Sequence, residues 1–326
     1  MRTLITLFLL VVLTAGAWFA WAVYAPVTLS GKQSVLLHTG YSTRRIGVEL
    51  KQAGIIRSVF AFRVWHLLHP KLSLKAGEYL FDRSANLRDI HARIARGDIY
   101  FHVVTIPEGY TMFEIAKAME EAGLGSAQDF LRIAQKRTDL ISDLAPEAKS
   151  LEGYLFPNTY QFTRTQTRAE MVGAMVRQFR QVAQQLGLTS DVHKTVTMAS
   201  IVEKETAAPD ERPMVASVYY NRLAHRIALD ADPSVIYALL LAGNYSGSLH
   251  HADLSVDSPY NTYRFPGLPP GPIGNPGQSS LAAAMHPANT EFFYFVSDGN
   301  GHHRFARDLN EHNRNVAAYR HALRMR

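Results

Sequence analysis

Cysteine is absent from this chain of 326 residues. Its absence excludes disulfide scaffolds, zinc sites with thiolate ligands and cysteine nucleophiles. It does not decide the compartment, although it suits an exported protein that folds without disulfides. Charged residues are also sparse, at 19% against 47% for hydrophobic residues, and this balance favours packed cores over disorder.

Dense basic clusters are missing as well, although the formal net charge is +6. Nucleic-acid-binding proteins concentrate lysine and arginine on one face, so the dispersed pattern predicts no nucleic-acid partner. A mild positive charge fits the anionic headgroups of a lipid bilayer and an anionic polymer substrate equally well.

Familiar catalytic signatures are missing too. The chain has no H-E-x-x-H motif, P-loop, dinucleotide fingerprint or G-x-S-x-G elbow, each of which would indicate a known cofactor or nucleophile. The 14 histidines include adjacent pairs at 250–251 and 302–303, and adjacent side chains seldom bind one metal ion. Ser200 has no evident histidine partner, which disfavours a serine hydrolase. We therefore predict no cofactor and no metal site.

A long apolar run is the first feature that the chain does have. It covers residues 4–27, after Arg2, and about 20 apolar residues suffice for a membrane-spanning helix. Aromatic residues, which favour the membrane interface, cluster at its far end: Trp18, Trp21 and Tyr24. The positive end places the amino terminus in the cytoplasm and the body outside. We predict an uncleaved anchor in residues 1–30; the alternative is a signal peptide cleaved at the small-x-small pattern of residues 20–22.

Two stretches of the body repeat one pattern. Residues 35–54 and 104–123 align without a gap, and each predicts a strand, a Gly-Tyr turn and an amphipathic helix ended by Gly. Ser42 and Thr111 stand at the helix starts, where their hydroxyls would act as N-caps. Further elements are predicted between the copies: a helix at 59–68, strands within 72–81 and a helix at 87–95.

Small strand–helix–helix–strand units resemble LysM modules, so residues 31–124 are predicted to form a LysM-like α+β domain. The remainder, residues 125–326, is predicted to be a mainly helical catalytic domain, which makes the whole chain α+β. Asp232 precedes Pro233 and is predicted to be a helix N-cap. The predicted elements follow in order: helices at 125–149, 167–186, 191–206, 213–225 and 234–241, a Pro/Gly-rich loop at 257–277, an aromatic strand at 291–296 and a basic C-terminal helix.

The Pro/Gly-rich loop excludes regular helix or strand, yet aromatic residues interleave with its prolines and glycines. Two interpretations remain open, a rigid sugar-binding surface and a packed Ω-loop over the core. In the first, the rings of Tyr260 and Tyr263 stack on sugars. The amides of Asn261 and Asn275 then hydrogen-bond to hydroxyl or acetamido groups.

Glu152 is the leading candidate for chemistry. It lies in the stretch L-E-G-Y-L-F-P-N-T-Y, residues 151–160. A carboxyl group among Leu, Tyr and Phe loses hydration, which raises its pKa and lets it carry a proton near neutral pH. A general acid requires that property. The alternative is a surface glutamate that caps a turn.

Other polar residues of the second half are weaker candidates. Glu203 and Glu205 lie two apart on a predicted helix and point to different faces. Glu203 lies one turn after Ser200 and is the better candidate for a cleft, whereas Glu205 is predicted to lie at a solvated helix end. Asn221 and Arg222 are adjacent, and Arg222 could bind a carboxylate either in a site or in a structural ion pair.

Six motifs, taken in order, resemble the YceG family of membrane-anchored endolytic murein transglycosylases, of the MltG type. The resemblance covers nearly the whole chain, and Tyr154 and Leu155 stand where family members often carry other aromatic residues. The motifs are L-E-G-Y-L-F-P-N-T-Y (151–160), A-S-I-V-E-K-E-T (199–206), V-Y-Y-N-R-L (218–223), D-P-S-V-I-Y-A-L (232–239), S-P-Y-N-T-Y-R-F-P-G-L-P-P-G-P-I-G-N-P-G (258–277) and F-Y-F-V-S-D-G-N-G-H-H-R-F (293–305).

The resemblance implies cleavage of the β-1,4 bond between N-acetylmuramic acid and N-acetylglucosamine within peptidoglycan, leaving a 1,6-anhydro end. Glu152 falls on the catalytic glutamate. One carboxyl group is enough because the C6 hydroxyl of the sugar is the nucleophile, whereas most glycosidases use two. Glu203 is expected to orient either Glu152 or the substrate. The predicted substrate-binding residues are Tyr160, Ser200, Glu203, Asn221, Tyr260, Asn261, Tyr263 and Asn275.

The resemblance also implies a location and partners. The protein would span the bacterial inner membrane once, with a cytoplasmic amino terminus and a periplasmic catalytic domain. Its partners would be peptidoglycan strands, the bilayer through residues 4–27, and penicillin-binding proteins or other wall-synthesis enzymes. It would terminate or trim nascent strands. A noncatalytic wall-binding scaffold and a lysozyme-like muramidase hydrolase remain as alternatives.

Overall fold

The computed structural model of the protein describes residues 1–324, and these form two compact units. The first unit contains residues 1–103 and 161–167, and the second contains residues 104–160 and the chain from residue 168 onward. The sequence-based boundary at residue 125 therefore differs from the boundary between these units. The second copy of the repeat, residues 104–123, lies in the second unit.

The first unit begins with α1 (Arg2–Tyr24), an apolar helix of mean hydropathy 2.2. Among residues 1–324 it is the one helix long and apolar enough to cross a membrane, which is compatible with the predicted anchor. Ala22 and Val23 in its last turn are 2% and 0% exposed. This end of α1 therefore packs into the core of the first unit.

The body of the first unit contains a two-stranded antiparallel sheet and three helices. Strand β1 (Gln33–Leu37) pairs with β2 (Gly77–Phe81). Between them lie α2 (Thr43–Gln52) and α3 (Val59–Leu67), and α4 (Leu87–Arg96) follows. The strand–helix–helix–strand order agrees with the predicted elements, but of the strands predicted within residues 72–81 only β2, which begins at Gly77, is present. The LysM-like character of this unit stays a prediction.

Helix caps explain where the repeated helices begin. The Ser42 hydroxyl accepts a hydrogen bond from the Arg45 amide at 3.2 Å, which caps α2. In the second copy, β3 (His102–Thr105) leads to α5 (Met112–Glu121). Thr111 and Glu114 form a capping box at its start. Both predicted N-caps are confirmed.

The second unit is mainly helical, as predicted. Helix α8 (Val192–Glu205) runs through its core, packs against three other helices and carries Glu203 and Glu205 near its C-terminal end. The remaining elements are α6 (Ala127–Lys136), β4 (Thr159–Phe162), which pairs with β3, α7 (Arg168–Leu186), α8 itself (Val192–Glu205), α9 (Arg212–Ala224), α10 (Asp232–Leu241), α11 (Gln278–Met285), β5 (Tyr294–Ser297), its antiparallel partner β6 (His303–Ala306), and α12 (Leu309–Arg324).

Several predicted elements need correction. The helical connector predicted over residues 125–149 is regular helix only in α6, and α11 was not predicted. Asp232 is not the N-cap of α10, because the cap residue is Ala231 and Asp232 already lies inside the helix. Residues 257–277, all described, contain neither helix nor strand.

Candidate active site

Glu152 lies in a turn of the segment between α6 and β4. The side chains around it exclude water. It is 2% exposed, and its neighbours Leu151 and Tyr154 are 0% exposed. Gly153 has a φ of 87°, and a Cβ there would lie 2.5 Å from Pro272 and 2.8 Å from Val196. Only glycine fits this turn without strain, so Gly153 lets the Pro/Gly-rich loop close directly against the Glu152 segment.

Three hydrogen-bond donors converge on the Glu152 carboxyl group. The backbone N–H of Met112, at the start of α5, lies 3.0 Å from both Oε1 and Oε2. The Asn275 side-chain amide donates to Oε1 at 2.8 Å, and the third donor, the Tyr237 hydroxyl of α10, is close enough to lower the pKa of the carboxyl group. The N-terminal end of α5 carries a partial positive charge that favours an anion at this place.

Burial and these donors act on the pKa of Glu152 in opposite directions. Loss of hydration raises the pKa to about 7, against the lowering effects of Met112, Tyr237 and Lys204, while the Glu114 charge raises it further. Burial is the larger influence. At neutral pH the group therefore populates both the acid and the carboxylate, as a residue that gives and takes back a proton requires.

Asn275 is completely buried and its amide is used inside the protein. Its Oδ1 accepts from the Leu155 amide at 2.8 Å, and its Nδ2 donates to the Tyr110 carbonyl at 2.9 Å as well as to Glu152. In the structure this amide therefore fixes the position of the Glu152 carboxyl group, and its predicted contact with sugar stays a prediction.

The Glu203 carboxyl group also forms its hydrogen bonds within the protein, and none of them is to Glu152. Its carboxyl group accepts from the Arg212 guanidinium at 2.8 Å and from the Gly277 amide at 2.8 Å. Gly277 ends the loop segment that contains Asn275. Glu203 can therefore orient Glu152 only through this segment.

Four other residues predicted to bind substrate make hydrogen bonds within the protein. Asn261, which is 0% exposed, donates to two carbonyls of its own region, a pattern that favours the packed-loop alternative for this part of the loop. The other three also bond to backbone groups of the protein. Ser200 donates to the Thr197 carbonyl and accepts from the Ile273 amide. Asn221 donates to the Thr290 and Phe292 carbonyls, and Tyr160 donates to the Phe156 carbonyl.

Two aromatic residues of the loop are more accessible. Tyr263 is 37% exposed, and its hydroxyl donates to Asp232 at 2.6 Å. Tyr260 is half-buried, and its ring centroid lies 5.1 Å from that of Tyr237. Sugar binding by these two residues stays a prediction, and their rings are accessible enough to allow it.

Some site residues were not predicted. Glu205, which was predicted to lie at a solvated helix end, is half-buried; it accepts from the Tyr219 hydroxyl at 2.8 Å, and loss of hydration raises its pKa to about 7. Tyr237 lies in the D-P-S-V-I-Y-A-L motif, which was the one available signal for it. The contribution of Met112 is a backbone amide, which no side-chain pattern reveals.

The histidine pair at 302–303 contacts a carboxylate at the start of α9. His303 Nδ1 lies 2.7 Å from the Glu211 carboxylate, and His302 Nδ1 lies 3.2 Å from it, which fastens β6 to the start of α9. Within residues 1–324, no group of three or more potential ligands is placed to hold a metal ion.

Known proteins share this sequence and fold. The sequence profile of the YceG-like family matches residues 35–318. The endolytic murein transglycosylase of Bacillus subtilis (strain 168) is 33% identical over 317 residues, which cover 90% of this chain and 87% of the relative. The endolytic murein transglycosylase of Streptococcus pneumoniae (serotype 2, strain D39) is 30% identical over 95% of this chain, which spans 63% of that relative.

A solved structure agrees with these sequence relatives. The 2.6 Å crystal structure of a YceG-like protein from Listeria monocytogenes is 32% identical and covers 87% of this chain and 98% of its own, with a TM-score of 0.58. The resemblance carried by the six motifs is thereby confirmed. With a family match over most of its length and relatives of this identity, the chain belongs to the YceG-like family.

Proposed function

We propose that the protein is an endolytic murein transglycosylase that uses Glu152 as its acid and base. The observation that carries this proposal is a buried carboxyl group whose pKa lies at about 7, held by donors from α5, α10 and the Pro/Gly-rich loop. The names of the two bacterial relatives support the reaction class. The bond cleaved is the β-1,4 linkage between N-acetylmuramic acid and N-acetylglucosamine.

In this mechanism Glu152 first gives its proton to the glycosidic oxygen, and the bond from that oxygen to the anomeric carbon of N-acetylmuramic acid breaks. The C6 hydroxyl oxygen of the same sugar then bonds to the anomeric carbon, and its proton passes to the Glu152 carboxylate. The product is a 1,6-anhydro end, and no water is consumed. Because Glu152 is only 2% exposed, side chains above it must move when the glycan binds.

Product chemistry tests the reaction type. Purified protein is incubated with murein in water enriched in oxygen-18, and the new sugar ends are identified by mass spectrometry. We expect 1,6-anhydro ends without the heavy isotope. Reducing ends that carry oxygen-18 would identify a lysozyme-like hydrolase instead, and no new ends of either kind would identify a noncatalytic scaffold.

The proposal includes a location. We place α1 across the bacterial inner membrane, with the amino terminus cytoplasmic and both units periplasmic, supported by Arg2 and the length of the apolar helix. Because the chain has no cysteine, Lys149→Cys provides a single reporter on the exposed surface. In intact spheroplasts a membrane-impermeant maleimide should label it. Labelling only after lysis would reverse the orientation.

The proposed partners are peptidoglycan strands and, through the family resemblance alone, penicillin-binding proteins or other wall-synthesis enzymes. In that setting the enzyme would terminate or trim nascent strands. Chemical crosslinking in cells, followed by identification of captured proteins, tests the association: capture of a synthase supports it, and capture of none argues against it.

A further inference from the structure

The end of α1 is built into the first unit. Ala22 and Val23, in the last turn of the helix, are buried in the core of that unit. The Arg57 guanidinium lies 4.6 Å from the centroid of the Trp21 ring and donates to the Ala25 carbonyl at 2.6 Å. The unit therefore follows α1 directly, and the position of α1 in a bilayer sets the depth of the unit.

The length of α1 places the surface of that bilayer. Residues 3–21 of an α-helix span about 28 Å, close to the roughly 30 Å hydrocarbon thickness of a bilayer. Trp18, Trp21 and Tyr24 lie in the last turns of α1, and aromatic rings favour the membrane interface. The headgroup layer next to the first unit therefore begins near Trp21.

Helix α3 lies at the same depth as this end of α1. Arg57, just before α3, contacts the Trp21 ring. Near the other end of α3, the Trp65 ring packs edge-on against Tyr24, with the ring centroids 5.9 Å apart. Both ends of α3 thus contact the last turns of α1, so the whole helix lies beside the headgroup layer.

Helix α3 has one buried face and one exposed apolar face. Ala61 and Phe62 lie in the core and are both 0% exposed. Phe60, Arg63 and Leu67 recur at intervals of three and four residues, which places them together on another side of the helix. Phe60 is 63% and Leu67 76% exposed, and Arg63 is exposed as well. Neighbouring apolar side chains this accessible indicate a contact surface.

The apolar surface continues past the end of α3. Leu68 is 63% and Leu72 40% exposed, and the exposed Lys71 lies close to them in sequence. A groove of about 310 Å³ lies on the same face, lined by Thr43, Phe60, Arg63, Val64, His66 and Leu67. A molecule seated in this groove would meet both apolar side chains and the positive charge of Arg63.

The charge of this part of the chain matches an anionic surface. Residues 1–77 contain nine basic residues and one acidic residue, whereas acidic residues outnumber basic ones in the rest of the sequence. The acidic residue, Glu49, pairs with Arg45 at 2.6 Å. Residues 50–77, the stretch that contains α3, include no acidic residue. Apolar and basic side chains on one surface match the boundary between acyl chains and anionic headgroups.

We propose that this face of α3, defined by Phe60, Arg63, Leu67 and Leu68, lies in the headgroup layer of the bilayer that α1 spans, with Arg63 at the phosphate groups of anionic lipids. The proposal rests on the membrane span included in the proposed function. The occupant is lipid, because α1 holds the face at the bilayer surface and the surrounding charge is positive. A second copy of the chain would bring the same positive charge, which opposes self-association through this face.

Single-site fluorescence quenching tests the contact. Because the chain has no cysteine, Leu67→Cys in the full chain carries one environment-sensitive fluorophore. The labelled protein is reconstituted in vesicles of phosphatidylcholine and phosphatidylglycerol that contain lipids with a nitroxide in the headgroup layer. We expect these lipids to quench the Leu67 label. Val12→Cys, in the middle of α1, should be quenched by nitroxides deep in the acyl chains, and the exposed Lys149→Cys is the aqueous reference.

Three further substitutions in the Leu67→Cys protein separate the contributions. Phe60→Glu adds a charge to the face, removes little core packing because Phe60 is exposed, and should reduce quenching towards that of the Lys149 label. Arg63→Gln should reduce quenching in vesicles with phosphatidylglycerol and leave it unchanged in phosphatidylcholine alone. Gln52→Glu is the matched control, since Gln52 is exposed at the end of α2, and it should leave quenching unchanged.

A Leu67 label quenched no more than the Lys149 label, beside a quenched Val12 label, would overturn the contact and leave the membrane span intact. Absence of quenching at both Val12 and Leu67 would refute the span and the contact together. Disulfide-linked dimers of the unlabelled Leu67→Cys chain, without quenching of the labelled one, would make the face an interface between two copies. The reaction proposed for Glu152 is tested separately, because these labels report no cleavage of murein.

Discussion

Glu152 is subject to two opposing influences. Burial favours the neutral acid, while the Met112 amide and the Tyr237 hydroxyl favour the carboxylate. Burial has the larger effect on the pKa, which it raises to about 7. The charged form is therefore still populated at neutral pH. The same arrangement serves both halves of the proposed reaction, because the donors stabilise the carboxylate that forms after proton transfer.

Activity should fall as the pH rises through about 7, because bond cleavage requires the protonated acid. Asn275→Ala removes an amide donor from Oε1, destabilises the carboxylate and should move this fall to higher pH. The rate of anhydro-end formation as a function of pH checks the shift, which does not depend on how much variant folds. A shift to lower pH would contradict the role of Asn275.

Glu152 should also reduce stability in alkaline solution. Its folded-state pKa of about 7 exceeds the ordinary 4.5, so the folded protein holds the proton more tightly than the unfolded chain. That stabilisation is present below about pH 4.5 and is lost as the pH rises towards 7.

Glu152→Gln has no carboxyl group to ionise. It should therefore unfold less readily than the wild type at about pH 8, by on the order of 1–3 kcal/mol, with a smaller difference at about pH 5. Thermal unfolding at the two pH values measures this. A variant that is less stable than the wild type at the higher pH would show that ionisation of Glu152 does not destabilise the folded protein.

At the scale of elements, the close approach of the Glu152 turn to the Pro/Gly-rich loop depends on Gly153. Gly153→Ala should lower the free energy of unfolding by about 2–4 kcal/mol, through positive-φ strain and overpacking. Gly187→Ala is the matched control, since Gly187 has a φ of 71° but no atom lies within 4 Å of the position that its Cβ would take. An equal decrease in the free energy of unfolding of the two variants would show that the loop moves to accommodate the added methyl group.

The helices were predictable because their signals are local. Ser42 and Thr111 each cap a helix at the expected residue. Asp232 was misassigned because its carboxylate bonds to Tyr263, 31 residues away, which no local pattern shows. Helix α11 was missed because the preceding Pro/Gly-rich loop gave no clear helix start.

The candidate site was predictable to the extent that it depends on neighbours in sequence. The apolar residues beside Glu152 indicated burial and a raised pKa. Its donors come from Met112 and Asn275, 40 and 123 residues away, and no local pattern shows these contacts. The hydrogen bond of Glu205 was missed because its partner, the Tyr219 hydroxyl, lies 14 residues away.

At the scale of the whole molecule, one apolar helix continues into the core of the first unit. A shortened chain that begins at residue 26 loses Ala22 and Val23 from that core and the Trp21 ring from Arg57. It should unfold at a lower temperature than a chain that begins at residue 19. Equal unfolding temperatures would show that the end of α1 contributes nothing to this unit.

The most direct test of the account is the rate at which Glu152→Gln produces anhydro ends from purified murein, counted by mass spectrometry. Glu147→Gln, an exposed glutamate five residues earlier, is the matched control. We expect the control to equal the wild type and Glu152→Gln to lose activity by about 100-fold or more, the usual contribution of a general acid. Anhydro ends formed by Glu152→Gln at the wild-type rate would contradict the assignment of Glu152.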